Sequence, residues 1–323
     1  MKNVFFIGDV ALDEYYETDY WPGIKDKILM RSLPNQPGGS IANAASIFTA
    51  MGNKPYFLTA LNSGAITQEL LADLNARGID TSHMVFDESL PDAKCIIVLA
   101  EGEHTVLICT LGMERFDIRP ETFEALKKAD YIYTNFIEIV PMHYVDPDTG
   151  TEMDAKDLLT EIRKNGTQVW CDVDVAEYME GEEELFASTD MIMVNEVGDA
   201  ELSKRYGEDW KEKFFDQGMQ LIVITEAEAG CNLYRPGKET IHVDGNKVDA
   251  RDVTGAGDTF GAALMHACMR SDDLALCAEF ANYAAALAVT GLGARYAAEG
   301  VKDIAGFITS LGGDADKYKV FWE

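Results

Sequence analysis

Short apolar runs alternate with amphipathic stretches along most of this chain. KNVFFIG (2–8) reads as a buried strand and SIANAASIFTAMG (40–52) as a helix stopped by glycine. KPYFLTAL (54–61) follows as a strand and ITQELLADLNARG (66–78) as a second glycine-ended helix. YIYTNFI (131–137), TQVWCDV (167–173), DMIMVN (190–195) and LIVITE (221–226) continue the strand series. AKDLLTEIRKNG (155–166), DAELSKRYG (199–207) and DWKEKFFDQG (209–218) carry helical spacing. Strands that are apolar at nearly every position are buried on both faces. The pattern therefore predicts an α/β, three-layer α/β/α fold with a mostly parallel central sheet.

Two regions break the rhythm. Residues about 13–36 are aromatic and alternating, with Pro22, Pro34 and Pro37 in or beside them. Residues about 93–110 read as a hairpin turning at Glu101–Gly102–Glu103. Neither is a βα unit. Together they suit a small β lid built from insertions, or edge strands that meet a second copy of the chain. No repeat, low-complexity tract or long linker divides the sequence, so residues 1–323 read as one domain.

Composition changes the picture through charge. There are 56 Asp and Glu residues against 27 Lys and Arg, a formal net charge of −29. Such a surface repels phosphate backbones and anionic lipid, which argues against nucleic acid and membrane as partners. A polyanionic ligand would need a locally positive pocket or a divalent cation. The apolar run near the N-terminus is too short for a signal peptide or a bilayer span. Six scattered cysteines without a CxxC pair read as reduced thiols, and a cytoplasmic location is expected.

The stretch DVTGAGDTFGAA (252–263) concentrates three glycines and two aspartates before an apolar helical segment ending near Arg270. With the helix beginning at Asp258, the amides of 255–258 point at one spot and form an anion site. Asp258 then serves either as a simple N-cap or as a base beside that site, capping being the way it is held. A dinucleotide fingerprint fails on spacing, because the third glycine, Gly261, is one residue late. No GxxxxGK[ST] string occurs.

A second constellation, PGGSIANAA (37–45), puts Gly38 and Gly39 ahead of a helix that carries Asn43. Paired glycines let a ligand touch backbone, and an Asn amide offers donor and acceptor to vicinal hydroxyls. A loop leading into a packing face explains it equally. Gly38-Gly39-Ser40-Ile41-Ala42 also approaches a hydrolase nucleophile elbow, with His83, His104, His143, His242 and His266 as conceivable bases.

Taken together, GGSIANAA and DVTGAGDTF resemble the two signatures of the PfkB/ribokinase family of carbohydrate kinases, and the resemblance spans the chain. It implies a ribokinase-like fold and an ATP-dependent sugar kinase using Mg²⁺. Asp258 is implied as catalytic base, with Gly255, Ala256 and Gly257 as the anion hole. The implied sugar contacts are Asp13, Gly38, Gly39, Asn43 and Glu138. The implied nucleotide contacts are Asn195, Thr225, Gly230 and Asn282. A monovalent cation such as K⁺ is implied near Asp252, Thr254 and the Gly291–Ala294 loop. Mg²⁺ would be held mainly through phosphate and water.

Departures from the family pattern stand beside these expectations. Gly198 occupies a position where relatives often carry Glu, leaving Glu196 or Asp199 as stand-ins. Ala227 replaces a common glycine, and CDVDVAEY (171–178) lacks a string found in many sugar kinases. The remaining alternatives are a nucleoside kinase, with Tyr15, Tyr16, Tyr20 or Trp21 stacking on a base, and a non-catalytic sugar- or nucleotide-binding protein. Lys25, Lys27, Arg31 and Arg115 would suit an acidic sugar. A homodimer through the lid is a further expectation.

Overall fold

Eight strands form the central sheet of this protein, which a computed structural model describes over residues 2–173 and 183–322. Their order is Ile241–Asp244, Gly230–Tyr234, Leu221–Thr225, Met191–Asn195, Gln168–Asp172, Tyr131–Thr134, Val4–Ile7, Tyr56–Leu58. The six from Leu221–Thr225 onward run parallel, and the first two are antiparallel additions.

Strand alternation explains why these segments are apolar throughout. Val4 and Phe6 enter one buried cluster while Phe5 and Ile7 enter the other; Met191 and Met193 oppose Ile192 and Val194 in the same way. The first face is covered by the helices Ser40–Ala50, Ala256–Cys268 and Leu274–Ala288. The second is covered by Pro120–Leu126, Ala155–Arg163, Glu196–Tyr206 and Trp210–Asp216. The three-layer expectation holds. Alanines on the first-face helices let their backbones approach closely, and Ala256–Cys268 packs against both of the others.

Some boundaries differ from the sequence reading. YIYTNFI is strand only to Thr134; Asn135 then caps a short helix, Phe136–Ile139, by accepting from the Glu138 amide at 2.9 Å. KPYFLTAL divides, with Tyr56–Leu58 in the main sheet and Ala60–Leu61 paired to Val85–Phe86. The helix expected at 199–207 starts at Glu196, capped by Asn195. Residues 174–178 of CDVDVAEY lie outside the described residues.

The two irregular regions do form a second sheet. Ala11–Thr18 pairs antiparallel with Arg31–Ser32 and Gln36–Gly38, and parallel with Lys94–Ala100. Lys94–Ala100 turns back into Glu103–Cys109 through Glu101 (φ 55°) and Gly102 (φ 86°), a two-residue turn matched to strand twist. Register places three rungs on one face: Asp13–Cys95–Ile108, Tyr15–Ile97–Val106 and Glu17–Leu99–His104. All six cysteines are free thiols. Among the described residues no helix is long and apolar enough to cross a membrane.

Candidate active site

The glycine-rich turn at 252–258 opens the Ala256–Cys268 helix, but Asp258 does not cap it. Gly255 is the N-cap, in the left-handed region at φ 79°. A Cβ there would lie 2.2 Å from the Ala294 carbonyl oxygen, so the position demands glycine twice over. Gly257 is exposed and a Cβ there would have nothing within 4 Å, so the helix terminus is open on that side. The Ala256 amide turns back to the Val253 carbonyl at 3.3 Å, so it serves the turn as well as any anion.

Asp258 sits in the first helical turn and its carboxylate is held from another helix. Ser40 Oγ donates to Oδ1 at 2.7 Å and Asn43 Nδ2 donates to Oδ2 at 2.9 Å. Asn43 is buried, and its Oδ1 accepts from Arg295 Nε at 2.8 Å. Ser40 was conceivable as a hydrolase nucleophile, yet its hydroxyl proton goes to a carboxylate. Ser40 and Arg295 are site residues that the motif reading passed over. Ser40 was visible as the polar residue inside GGSIANAA, whereas nothing around Arg295 marks it.

The turn before the helix is organised by Asp252. Its Oδ1 accepts from the Thr254 amide (3.0 Å) and hydroxyl (2.7 Å), and Oδ2 from the Gly293 amide at 2.8 Å. Burial alone would raise its pKa; these bonds outweigh it and hold the carboxylate below the usual range. Asp252 thereby ties Thr254 to the Gly291–Ala294 loop. Among the described residues no group of three or more His, Cys, Asp or Glu side chains is arranged to hold a metal ion.

The double glycine is explained by protein contacts. A Cβ on Gly38 would meet Asp13 Oδ2 at 2.2 Å, and Gly39 (φ 95°) lies against the Asp9 carbonyl. Asp9 accepts from the Ser40 and Ile41 amides at 2.7 and 2.9 Å, securing the start of the Ser40–Ala50 helix. Asp13 is pushed up to about 6 by burial, opposed by the Arg295 charge and reinforced by Asp9. Glu138 is pushed up to about 8 by burial and by the nearby Asp9. It stands close to Asp9 but does not line the cavity described next.

Between the lid and these helix ends lies a cavity of about 750 Å³. Its roof is the three-rung face, and its floor includes Asp9, Gly39, Ser40, Asn43, Asp252, Thr254 and Gly293. Tyr15 lines the cavity, and its hydroxyl is pushed up to about 12 by burial and by the charges of Asp13 and Asp252. Of the aromatics considered for stacking, Tyr15 alone lines the cavity; Tyr16 bonds Glu14, and Tyr20 and Trp21 are exposed. Lys25, Lys27, Arg31 and Arg115 do not line it. Arg31 pairs with Glu17, and Arg115 with Asp117 and Glu152. The charged or titratable side chains that do line the cavity include Glu17, Glu101 and Glu103, with Arg251 and His104.

Three of the residues expected to contact nucleotide, Asn195, Thr225 and Gly230, lie at ends of neighbouring strands, and the fourth, Asn282, lies on the helix Leu274–Ala288. Asn195 and Thr225 are register partners, and Asn195 Oδ1 accepts from the Gly198 amide at 2.9 Å. Gly230 (φ 105°) is required by packing, since a Cβ would lie 2.0 Å from the Val243 carbonyl oxygen. Asn282 is buried, and its Nδ2 donates to the carbonyls of Val243 (3.2 Å) and Asp244 (3.0 Å), pinning the edge strand. Of the two stand-ins for Gly198, Asp199 is committed to Trp210 (3.0 Å) and Lys211 (2.8 Å), while Glu196 is exposed. Ala227 adopts φ 46°, a conformation that favours glycine.

Comparison with known proteins identifies the family and the fold. The family model described as pfkB family carbohydrate kinase matches residues 1–299. A ribokinase of Bacillus subtilis is 26% identical over 310 residues, covering 91% of this chain and 95% of the relative. The structure of Arabidopsis thaliana ribokinase complexed with ribose and ATP superposes with a TM-score of 0.77 at 21% identity, covering 94% and 98% of the two chains. A putative ribokinase II from E. coli, in complex with ATP and Mg²⁺, gives 0.74 at 19% identity over 96% and 100%.

Proposed function

Because this chain belongs to the pfkB family of carbohydrate kinases, we propose that it transfers the γ-phosphoryl group of ATP to a hydroxyl of a sugar bound beneath the lid. The observation that carries the reading is Asp258, a carboxylate anchored through both oxygens beside an open, glycine-built helix N-terminus. ATP with Mg²⁺ supplies the phosphoryl group when bound. The Gly255–Gly257 turn fits such an anion, because Gly257 leaves the terminus sterically open and the helix dipole favours negative charge there.

Asp258 accepts the proton of the acceptor hydroxyl, and the amides of Gly255, Ala256 and Gly257 stabilise charge on the transferred oxygens. Asp13, Gly38 and Gly39 bind the sugar. Asn43 adds the second proton of Nδ2, since the first is given to Asp258. Glu138 acts on the sugar side from beside Asp9. Nucleotide is assigned to the strand ends at Asn195 and Thr225, with Gly230 and Asn282 shaping the adjoining strands. With Asp199 committed to Trp210 and Lys211, Mg²⁺ would be held mainly through phosphate and water, and the exposed Glu196 would be the candidate protein contact. Asp252, the Thr254 carbonyl and the Gly291–Ala294 loop are the proposed surroundings of K⁺. Lid closure excludes water and so limits ATP hydrolysis. Use of ATP suits a cytoplasmic enzyme.

Lys25, Lys27, Arg31 and Arg115 stay outside the cavity, so an acidic acceptor would have to be read by Arg251 or His104, which line it. A second reading, a nucleoside, is favoured by the cavity's size and by the Tyr15–Ile97–Val106 rung above its centre. An ADP-release screen over ketoses, aldoses, sugar acids and nucleosides, with and without K⁺, separates these readings. Asp258→Asn should lower turnover by about three or more powers of ten with ATP binding intact. An active Asn variant refutes the base assignment. Sugar binding without ADP release across the whole panel would instead mark a binding protein.

A further inference from the structure

Arg295 belongs to neither glycine motif, yet its side chain is only 8% exposed and all three nitrogens are engaged. Nε donates to Asn43 Oδ1 at 2.8 Å, Nη2 to the Gly38 carbonyl at 2.9 Å, and Nη1 pairs with Asp73. Burying a guanidinium is expensive unless every donor finds an acceptor, and here two of the three acceptors belong to the sugar-side constellation. Asp73 has a second cationic partner in Arg77, at 3.1 Å. Arg295 is therefore not needed merely to neutralise Asp73.

The consequence lies in the amide of Asn43. An Asn side chain can be turned about its last bond, exchanging oxygen and nitrogen with little change in shape. In the orientation found, acceptor faces guanidinium and donor faces the Asp258 carboxylate. Turned over, the amide would set donor against donor at Arg295 and acceptor against acceptor at Asp258.

Resting on the kinase reading of Asp258, we infer that Arg295 is a positioning residue of the phosphoryl transfer: it locks the Asn43 amide so that Nδ2 holds Asp258 aimed at the acceptor hydroxyl. The same guanidinium grips the Gly38 carbonyl, so the base and the double glycine keep a fixed spacing. Removing it lets the amide turn and the carboxylate swing while the nucleotide contacts stay as they are.

The test is a double-mutant cycle on the full chain with the best acceptor from the screen. Arg295→Gln should lower kcat about 100-fold, the scale of a misplacement near 1 Å, with KM for ATP unchanged. Arg295→Lys, which reaches one acceptor at a time, should recover part of that loss. In an Asn43→Ala background, Arg295→Gln should add less than about threefold, because the relay is already gone. Wild-type kcat in Arg295→Gln, a loss confined to KM for ATP, or losses that multiply in the double variant would overturn the inference. If Arg295→Gln does not fold, Arg295→Lys decides: reduced kcat at constant KM for ATP supports the role, and unchanged kcat refutes it. The side-chain amide NMR signals of Asn43, identified by their absence in Asn43→Ala, give a readout that needs no activity. They should shift in the Arg295 variants without substrate, and unshifted signals would refute the lock. A wild-type protein that transfers no phosphate to any acceptor sinks the kinase reading, while the NMR arm still decides on Arg295.

Discussion

Two glycines at the start of one helix should respond to alanine in opposite ways. At Gly255 the backbone is left-handed, which costs an L-residue about 1–2 kcal/mol. The added Cβ would also lie 2.2 Å from the Ala294 carbonyl oxygen, and the backbone shift this forces costs about 1–3 kcal/mol more. Gly255→Ala should therefore destabilise the fold by about 2–5 kcal/mol. Gly257 sits inside the first helical turn with nothing within 4 Å of a Cβ. There alanine should stabilise by about 0.5–1 kcal/mol through helix propensity. The same methyl, however, would project from the open face where we propose that the phosphoryl oxygens approach. Loss of that approach should lower kcat/KM about 100-fold or more, as removal of an anion-hole donor does. Urea unfolding and a coupled ADP assay on both variants test the pair. A stabilised but inactive Gly257→Ala is the expected outcome. A fully active one would refute the anion site at this turn, and one destabilised like Gly255→Ala would refute the helix start.

Glu138 predicts a pH dependence of stability. Its pKa of about 8 lies above the ordinary value near 4.5, so the folded state binds the extra proton between those limits. Its contribution is full below about pH 4.5 and is lost as pH rises toward 8. Thermal stability should thus fall as pH rises across that window, and Glu138→Gln should flatten the slope, leaving the smaller contribution of Asp13; an unchanged slope would contradict the raised pKa of Glu138. At Ala227, with φ 46°, replacement by glycine should gain about 0.5 kcal/mol once the extra freedom of the unfolded chain is subtracted, read by urea titration; a clear loss would mean the left-handed turn is not strained. The lid's Glu103–Cys109 strand is an edge exposing Val106, Leu107 and Ile108, a surface proposed to pair with a second copy. Leu107→Lys should convert a dimer to monomer in sedimentation analysis, and a wild-type monomer at micromolar concentration would end that reading.

Most of the architecture could be read from the sequence because parallel strands, buried on both sides, announce themselves as continuous apolar runs. The reading slipped where a polar residue interrupts a run that stays apolar afterwards. At Asn135 the chain changes from strand to helix, yet Phe136 and Ile139 remain buried and look like more strand. Asp258, the proposed base, was legible because glycines and an aspartate at fixed spacing have few cheap explanations. What holds it was not. Ser40 lies 218 residues from Asp258 and Arg295 lies 252 from Asn43, so their contacts exist only in the folded chain. Several glycines read as ligand contacts, Gly38, Gly39 and Gly230 among them, prove to be demanded by neighbouring protein atoms as well. Motif spacing cannot separate those two demands, since both ask for a missing Cβ.

The turn at Glu101 and Gly102 has a reach beyond its own two residues. It fixes which of the even- or odd-numbered side chains of Glu103–Cys109 look into the cavity. Lengthening it by one residue would hand the roof to Thr105 and Leu107 and send His104, Val106 and Ile108 to the outside. Acceptor preference could thus be rewritten wholesale by a single insertion at the surface, with the cavity floor untouched. Relatives that differ in the length of this hairpin are where a change of substrate should be sought first.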